Sequence, residues 1–386
     1  MKGLAAKLAR LGTFSFTLLS LILLIETESW GRDGASVPSE RRILSVSVQD
    51  LGTFGGLYSW ASDINDKGQV VGTSQTSTGA SRGFIWQNGV LTDLGTLGYA
   101  TTAGHINNKG QVVGVSKASA TVTSAFIWQD GVMTDIGSLG GGGTSPADIN
   151  DKGQVIGTSR TSQGAMHAFI WQEGVMTDLG TPDGVYSTAQ DINEHGQVIG
   201  QIASPGSTGH GYIWHDGIMT DLGEGFYPER INEKGQVIIR EFASFGNPHG
   251  FLWQDGVMTD LGTLGGNESD VIDINDKGQV VGHSMTTSGE MHVFIWHNGV
   301  MTDLGTTQIG GFYPRDINDK GEILGVRSQA SGIVQPVLWQ KGTITELGTL
   351  GGECNAHVLN NHGQAVGSSQ IYANSYERHP VVWTIK

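Results

Sequence analysis

Residues 147–180 read ADINDKGQVIGTSRTSQGAMHAFIWQEGVMTDLG, and this stretch holds four strand-like runs. The first ends at Asp148-Ile149-Asn150. The turn Asn150-Asp151-Lys152-Gly153 follows, because Asn and Asp bond to their own backbone in turns and Gly supplies a positive φ. The second run is Gln154–Ser159. A looser polar loop leads to the third, His167–Gln172, and Glu173-Gly174 closes a tight hairpin into Val175–Gly180. Phe169, Ile170 and Trp171 are consecutive, so both faces of that strand must be covered.

The same unit recurs along the chain. Its Asn stands at 65, 107, 150, 193, 232, 275, 318 and 360, giving steps of 42, 43, 43, 39, 43, 43 and 42 residues. A fixed period of this size marks a repeat architecture. Hairpin dipeptides recur with it at Asn88-Gly89, Asp130-Gly131, Asp216-Gly217, Asp255-Gly256, Asn298-Gly299 and Lys341-Gly342. Four short antiparallel strands in about 43 residues, buried on both faces, match the blade of a propeller. The eighth copy has Val381-Val382-Trp383 and no fourth strand, whereas Val48–Thr53 reads like a fourth strand without its blade. The expected fold is therefore all-β, an eight-bladed β-propeller of four-stranded antiparallel blades with the last blade closed by the N-terminal strand. Closure removes exposed edges. A stacked β-solenoid, the alternative, has no use for such sharing.

The strings HAFIW, GVMTDLGTLGG and INDKGQVVG resemble the HAF-type extracellular repeat of bacterial proteins, over roughly residues 43–386. The resemblance implies an extracellular or cell-envelope location and carries no catalytic residues. Arg82, Ser124 and Gln335 depart from it by replacing the His, and no sorting segment follows Trp383.

The 386 residues include 60 glycines, which implies dense turns and short elements. The formal net charge of −15 and the lack of a basic run past the N-terminus argue against nucleic acid as a partner. Lys2, Lys7 and Arg10 precede an uncharged stretch, Leu11 to Ile25, which matches a secretory signal or N-terminal anchor over residues 1–29. A linker, 30–42, would connect it to the propeller, 43–386. Membrane contact is expected only through this first segment, and the localisation expected is secreted, periplasmic or cell-envelope. Cys354 is the single cysteine, so no internal disulfide forms.

Repetition is an internal control, because a residue present in every copy serves the blade. The Trp at 86, 128, 171, 214, 253, 296, 339 and 383 is read as structural. Asp63–Gly68 resembles a calcium loop but has Lys67 where an oxygen ligand is needed, so it is read as a turn. No cofactor is expected, although the acidic balance leaves room for weak calcium binding elsewhere. His167, His210, His249, His292 and His379 each stand four residues before a Trp and are read as hydrogen-bonded blade-edge residues rather than one metal site. Gly79-Ala80-Ser81-Arg82-Gly83 lies between two strands, not at a strand-to-helix turn, and is read as coincidence.

The off-pattern residues are the candidates for ligand binding. GFYP occurs twice, placing Phe226, Tyr227 and Arg230 in the fifth copy and Phe312, Tyr313 and Arg315 in the seventh, where other copies are small and polar. Arg240 and Glu241 also break the pattern of the fifth copy. Exposed aromatic rings beside charges suit a sugar surface. The bland alternative is a cross-strand ion pair such as Glu229 with Arg240. The expected function is a non-enzymatic envelope protein, a monomer that presents variable loops to a glycan or protein ligand. One alternative is a carbohydrate-active lyase or hydrolase with its site at a channel mouth, which needs paired carboxylates or a base with an Arg. The other is a scaffold without a specific ligand.

Overall fold

The computed structural model describes residues 45–386 apart from 118, 120–121, 183–184, 242–245, 309–310 and 329–333; the candidate signal segment and linker lie outside the described residues. Every described element of regular structure is a strand. Blade 1 shows the plan: an inner strand Gly55–Ile64, then Val70–Thr76, Ser81–Gln87 and an outer strand Val90–Asp93, each paired antiparallel with the next. Six further sheets of four strands repeat it. The remaining four strands form blade 8, which joins blade 1 through the single parallel pairing Tyr58↔Arg378.

The closure expected from the two ends is present. Val46–Asp50 pairs antiparallel with Arg378–Ile385, with Val48 opposite Trp383, and so supplies the outer strand of blade 8. His379 Nδ1 meets Asp50 Oδ2 at 2.7 Å across this seam. Within blades 3, 4, 5 and 6 the same His–Asp contact forms between third and outer strands, at 2.8–3.0 Å. The five histidines therefore each bind an aspartate of their own blade and do not converge.

All seven hairpins have positive φ at both central residues, as at Asn88 (51°) and Gly89 (84°), which is the turn whose twist matches the flanking strands. The core is divided. Eight apolar clusters form, one at each blade-to-blade interface; the seam cluster joins Val366 and Val382 of blade 8 to Ala61, Val70 and Phe84 of blade 1. Phe169, Ile170 and Trp171 are all buried, as a strand covered on both faces requires.

The close packing depends on a glycine in the second strand. A Cβ on Gly72 would come within 2.1 Å of the Trp60 carbonyl and 2.8 Å of the Phe84 ring. Blades 5 and 7 solve this spot differently. In blade 7 the third strand has Val337 where most blades have Phe or Tyr, and Phe312 fills the space over Gly325 instead, with 1% of its surface exposed. In blade 5 Ile239 replaces the glycine, and Phe226 packs edge-on to Phe251 with centroids 5.3 Å apart. This corrects the sequence reading of both phenylalanines. They are blade packing, not rings displayed to a ligand.

Candidate functional site

The ring of inner strands encloses a channel, and its lower rim is built by the recurring Asn. Asn65 Oδ1 accepts the N–H groups of Lys67 and Gln69, while Nδ2 donates to Gln69 Oε1 and to the carbonyl of Asn107 in the next blade. The same inter-blade bond runs from each Asn to the next and returns from Asn360 to Asn65, eight bonds of 2.9–3.1 Å. A second closed ring lies beside it. Asp66 N–H donates to Asn108 Oδ1, and the pattern continues through Asp151, Glu194, Glu233, Asp276, Asp319 and Asn361 back to Asp66. The turn expected at Asp63–Gly68 is thus a blade clamp. Most of these residues line a cavity of about 460 Å³ at the lower mouth. Burial pushes the Glu233 carboxyl up to about 7.

Above this rim every inner strand carries a bulge at the same register position, such as between Ala61 and Asp63. Bulges redirect a side chain. Here they deliver Asp63, His105, Asp148, Asp191, Arg230, Asp273 and Asp316 to the channel waist. The carboxylates also tie blades together: Asp63 Oδ2 accepts the Ile106 N–H at 3.0 Å, and Asp191, Asp273 and Asp316 repeat the contact. Burial, then the neighbouring Asp191, pushes Asp148 well above the carboxylate range; burial and Asp316 do the same to Asp273. Arg230 is the one arginine among them. Burial works against its charge, but Asp191, Asp273, Asp316 and Asp148 outweigh that and hold the guanidinium protonated.

The upper mouth is not symmetric. On blades 4 to 8 the off-pattern residues form a continuous arc. Gln190 Nε2 donates to Glu229 Oε2 at 3.4 Å. Arg240 Nε meets Glu229 Oε1 at 3.5 Å and Asp270 Oδ1 at 2.8 Å. His283 Nε2 lies 4.0 Å from Asp270 Oδ2, and its ring lies 5.1 Å from that of Tyr313. Arg315 stacks over Tyr313 at 5.6 Å. Burial raises the Glu229 carboxyl above its ordinary value, against the pull of Arg240 and Arg230. His283 and His357 are both lowered, mainly by burial; the Arg315 guanidinium adds to the effect at His357.

The arc ends in a cavity of about 640 Å³ at the seam of blades 8 and 1, lined by Tyr58, Trp60, Arg315, Glu353, His357 and Arg378 among others. Tyr58 and Trp60 are 45% and 40% exposed. Arg378 Nη2 contacts Glu353 Oε2 at 3.2 Å. Cys354 borders the cavity as a buried thiol pushed up to about 12, mainly by burial.

Of the residues singled out in the sequence, the structure brings Arg240, Tyr313 and Arg315 into the arc and Arg230 into the waist below it. The Glu229–Arg240 ion pair forms as the bland reading expected, but Asp270 shares it. Phe226 and Phe312 lie in blade cores. Tyr227 turns its hydroxyl to the Thr208 carbonyl, and Glu241 accepts the N–H of His249 at 3.3 Å. Tyr58, Trp60, Asp270, His283 and His357 were missed. Trp60 and Asp270 occupy the position five before the Asn, as Tyr227 and Tyr313 do, where blades 2, 3 and 4 have Thr102, Ser145 and Thr188. Comparing that one column would have found them.

No protein-family model and no curated protein matches the chain. Solved structures do. The β-propeller domain of the Trilobed protease from Pyrococcus furiosus matches 75% of this chain over 98% of its own length, with TM-score 0.50 and 14% identity. A prolyl endopeptidase matches 82% of the chain with TM-score 0.55 and 10% identity, and a Mycobacterium tuberculosis puromycin-hydrolyzing peptidase matches 81% with TM-score 0.51 and 10% identity. The chain spans 55% and 57% of those two peptidases. At such identities the likeness carries the fold: this chain is a β-propeller. The expectation of a non-enzymatic binding protein is corrected by the same comparison. The propellers named above come from a protease and two peptidases, all hydrolases.

Proposed function

We propose that the chain is a carbohydrate-active hydrolase whose site is the upper channel mouth, with Glu229 as general acid and Asp270 as its partner carboxylate. The observation that carries this reading is their shared arginine. Both carboxylates contact Arg240 Nε, at 3.5 and 2.8 Å, so their nearest oxygens lie at most about 6.3 Å apart. Pairs that act through a covalent sugar intermediate are about 5–5.5 Å apart, whereas pairs that admit a water between them are about 6.5–9.5 Å apart. The environments differ as the two roles require. Burial raises Glu229 above its ordinary value, the direction a general acid needs, and Asp270 makes the closer contact with Arg240, at 2.8 Å against 3.5 Å. In the reaction, an Asp270 oxygen bonds to the anomeric carbon as the leaving oxygen takes the Glu229 proton. Glu229, now a carboxylate, then takes a proton from water, whose oxygen displaces Asp270. One water is consumed and both carboxyl groups are restored.

The peptidases matched by the fold favour hydrolysis in general, and the aromatic, polar rim favours sugar as the substrate. The test is release of reducing ends from a polysaccharide panel, with a peptide mixture alongside. Turnover of a polysaccharide that is lost in Glu229→Gln and Asp270→Asn supports the reading. Cleavage of peptides alone overturns its carbohydrate half, and no turnover of either overturns it entirely. The repeat strings support membership of the HAF-type repeat group, and Lys2 to Ile25 support export to the envelope or beyond.

A further inference from the structure

The seam cavity is connected to the proposed carboxylate pair through Arg315, Tyr313 and His283 but has the opposite charge character. On a chain of net charge −15, it gathers two guanidinium groups, Arg315 and Arg378. Their situations differ. Arg378 is held by Glu353, whereas Arg315 makes no ion pair among the described residues; its contact is the face of Tyr313, which leaves its donors directed at solvent. An exposed guanidinium with free donors presents a planar fork that matches a carboxylate or sulfate group. Beside it, Tyr58 and Trp60 expose large parts of their surfaces within the same cavity, and aromatic faces of this kind cover the apolar face of a sugar ring. A volume of about 640 Å³ lies within the range of small-molecule sites, roughly 300–1,000 Å³.

Among the described residues, only this seam joins one blade to the next by a strand pairing, Tyr58↔Arg378, so the aromatic and the arginine are fixed relative to each other by backbone. No other blade of the described ring places Trp and Tyr together on its inner strand before the Asn. Arg315 then links the cavity through Tyr313 and His283 to Asp270 and Glu229.

We propose that this cavity binds an acidic sugar residue, one bearing a carboxylate or sulfate, with Arg315 receiving the anion and Tyr58 and Trp60 stacking on the ring. The assignment rests on the carbohydrate reading given above, and it names the substrate class for that same mouth. His357 lines the same cavity and serves as a hydrogen-bond partner to the sugar hydroxyls, and burial and the Arg315 guanidinium both disfavour its charged form.

Binding is measured by calorimetry and tryptophan fluorescence on the full chain carrying Glu229→Gln, so that a bound oligosaccharide is not consumed. The probes are an oligo-uronate, a sulfated oligosaccharide and a neutral oligosaccharide of the same length. Binding of one acidic probe about tenfold or more tighter than the neutral one, a gap that narrows at high salt, supports the proposal. Which acidic probe binds distinguishes carboxylate from sulfate. Arg315→Ala should remove that preference with melting unchanged, and Trp60→Ala should weaken acidic and neutral probes alike. If Arg315→Ala lowers the melting temperature, Arg315→Lys is used, which keeps the charge but loses the fork and should bind several-fold more weakly. Equal affinity for acidic and neutral probes, or affinity unaffected by the Arg315 substitutions, overturns the assignment. Selective acidic binding by a wild-type protein that cleaves no polysaccharide removes only the catalytic reading and leaves this one standing.

Discussion

Asn360 Nδ2 donates to the carbonyl of Asn65, 295 residues earlier in the chain, at 3.0 Å. This bond completes a circuit in which each blade is fastened to the next by the same amide. Both of its ends are buried, with about 5% of each residue exposed. Asn360→Asp removes the amide's donors, and the carboxylate then faces the Asn65 carbonyl and Gln364 Oε1 with no proton to give. The expected cost is at least about 1–3 kcal/mol, the range for leaving a buried acceptor unsatisfied, and more because the new group is charged. Equilibrium denaturation checks it, and a cost under about 0.5 kcal/mol would sink the clamp role.

The seam should depend on pH in one direction. The hydrogen bond to Asp50, followed by the charge of the two neighbouring carboxylates, raises the His379 imidazole, although burial opposes it. A raised histidine contributes its full stabilisation below the ordinary value of about 6.5 and loses it as pH rises through the folded value. Protection factors for amide exchange across 381–383, corrected for the intrinsic rate at each pH, should therefore be higher at pH 6 than at pH 8. Asp50→Asn should remove that contrast.

The channel waist should behave in the opposite sense to ordinary acid denaturation. Asp148 is raised by burial and by Asp191, so the folded state takes up its proton more readily than the unfolded chain. Its penalty is absent below the unfolded value and grows as pH rises toward the folded one. Asp148→Asn keeps an oxygen for the Ile149 N–H and should raise the melting temperature by a few degrees at pH 7. The gain should shrink toward pH 4. A gain that does not vary with pH contradicts this account.

Phe312→Ala should cost about 3–5 kcal/mol, as for emptying a core aromatic site. Trp171→Ala, at the third strand of blade 3, should cost about the same. Adding Val337→Phe to Phe312→Ala restores the ring from the position other blades use, and should recover part of the loss. Thermal denaturation of the single and double variants decides whether the two positions are alternatives for one space.

Much of the blade could be read directly. The Asn-Gly and Asp-Gly hairpins, the buried Phe-Ile-Trp run and the borrowed outer strand all follow from local rules, because each depends on residues adjacent in sequence or on a period that repeats. The same periodicity hid the recurring Asn. It was read as a turn residue, which it is, but its second hydrogen bond reaches a residue about 43 positions away, and no local pattern contains that partner. The GFYP motif misled for a related reason. Phe312 looked surplus because the vacancy it fills is set by Val337, 25 positions later.

The sequence by itself determined the strands, the turns, the number of blades and the sharing of the last blade between the two ends, since these follow from propensity and period. Only the tertiary structure decided which side chains meet across blades. Glu229, Arg240 and Asp270 come from two blades, and Tyr58, Arg315 and Arg378 from three; bulges and ring curvature, not spacing along the chain, bring them to one mouth.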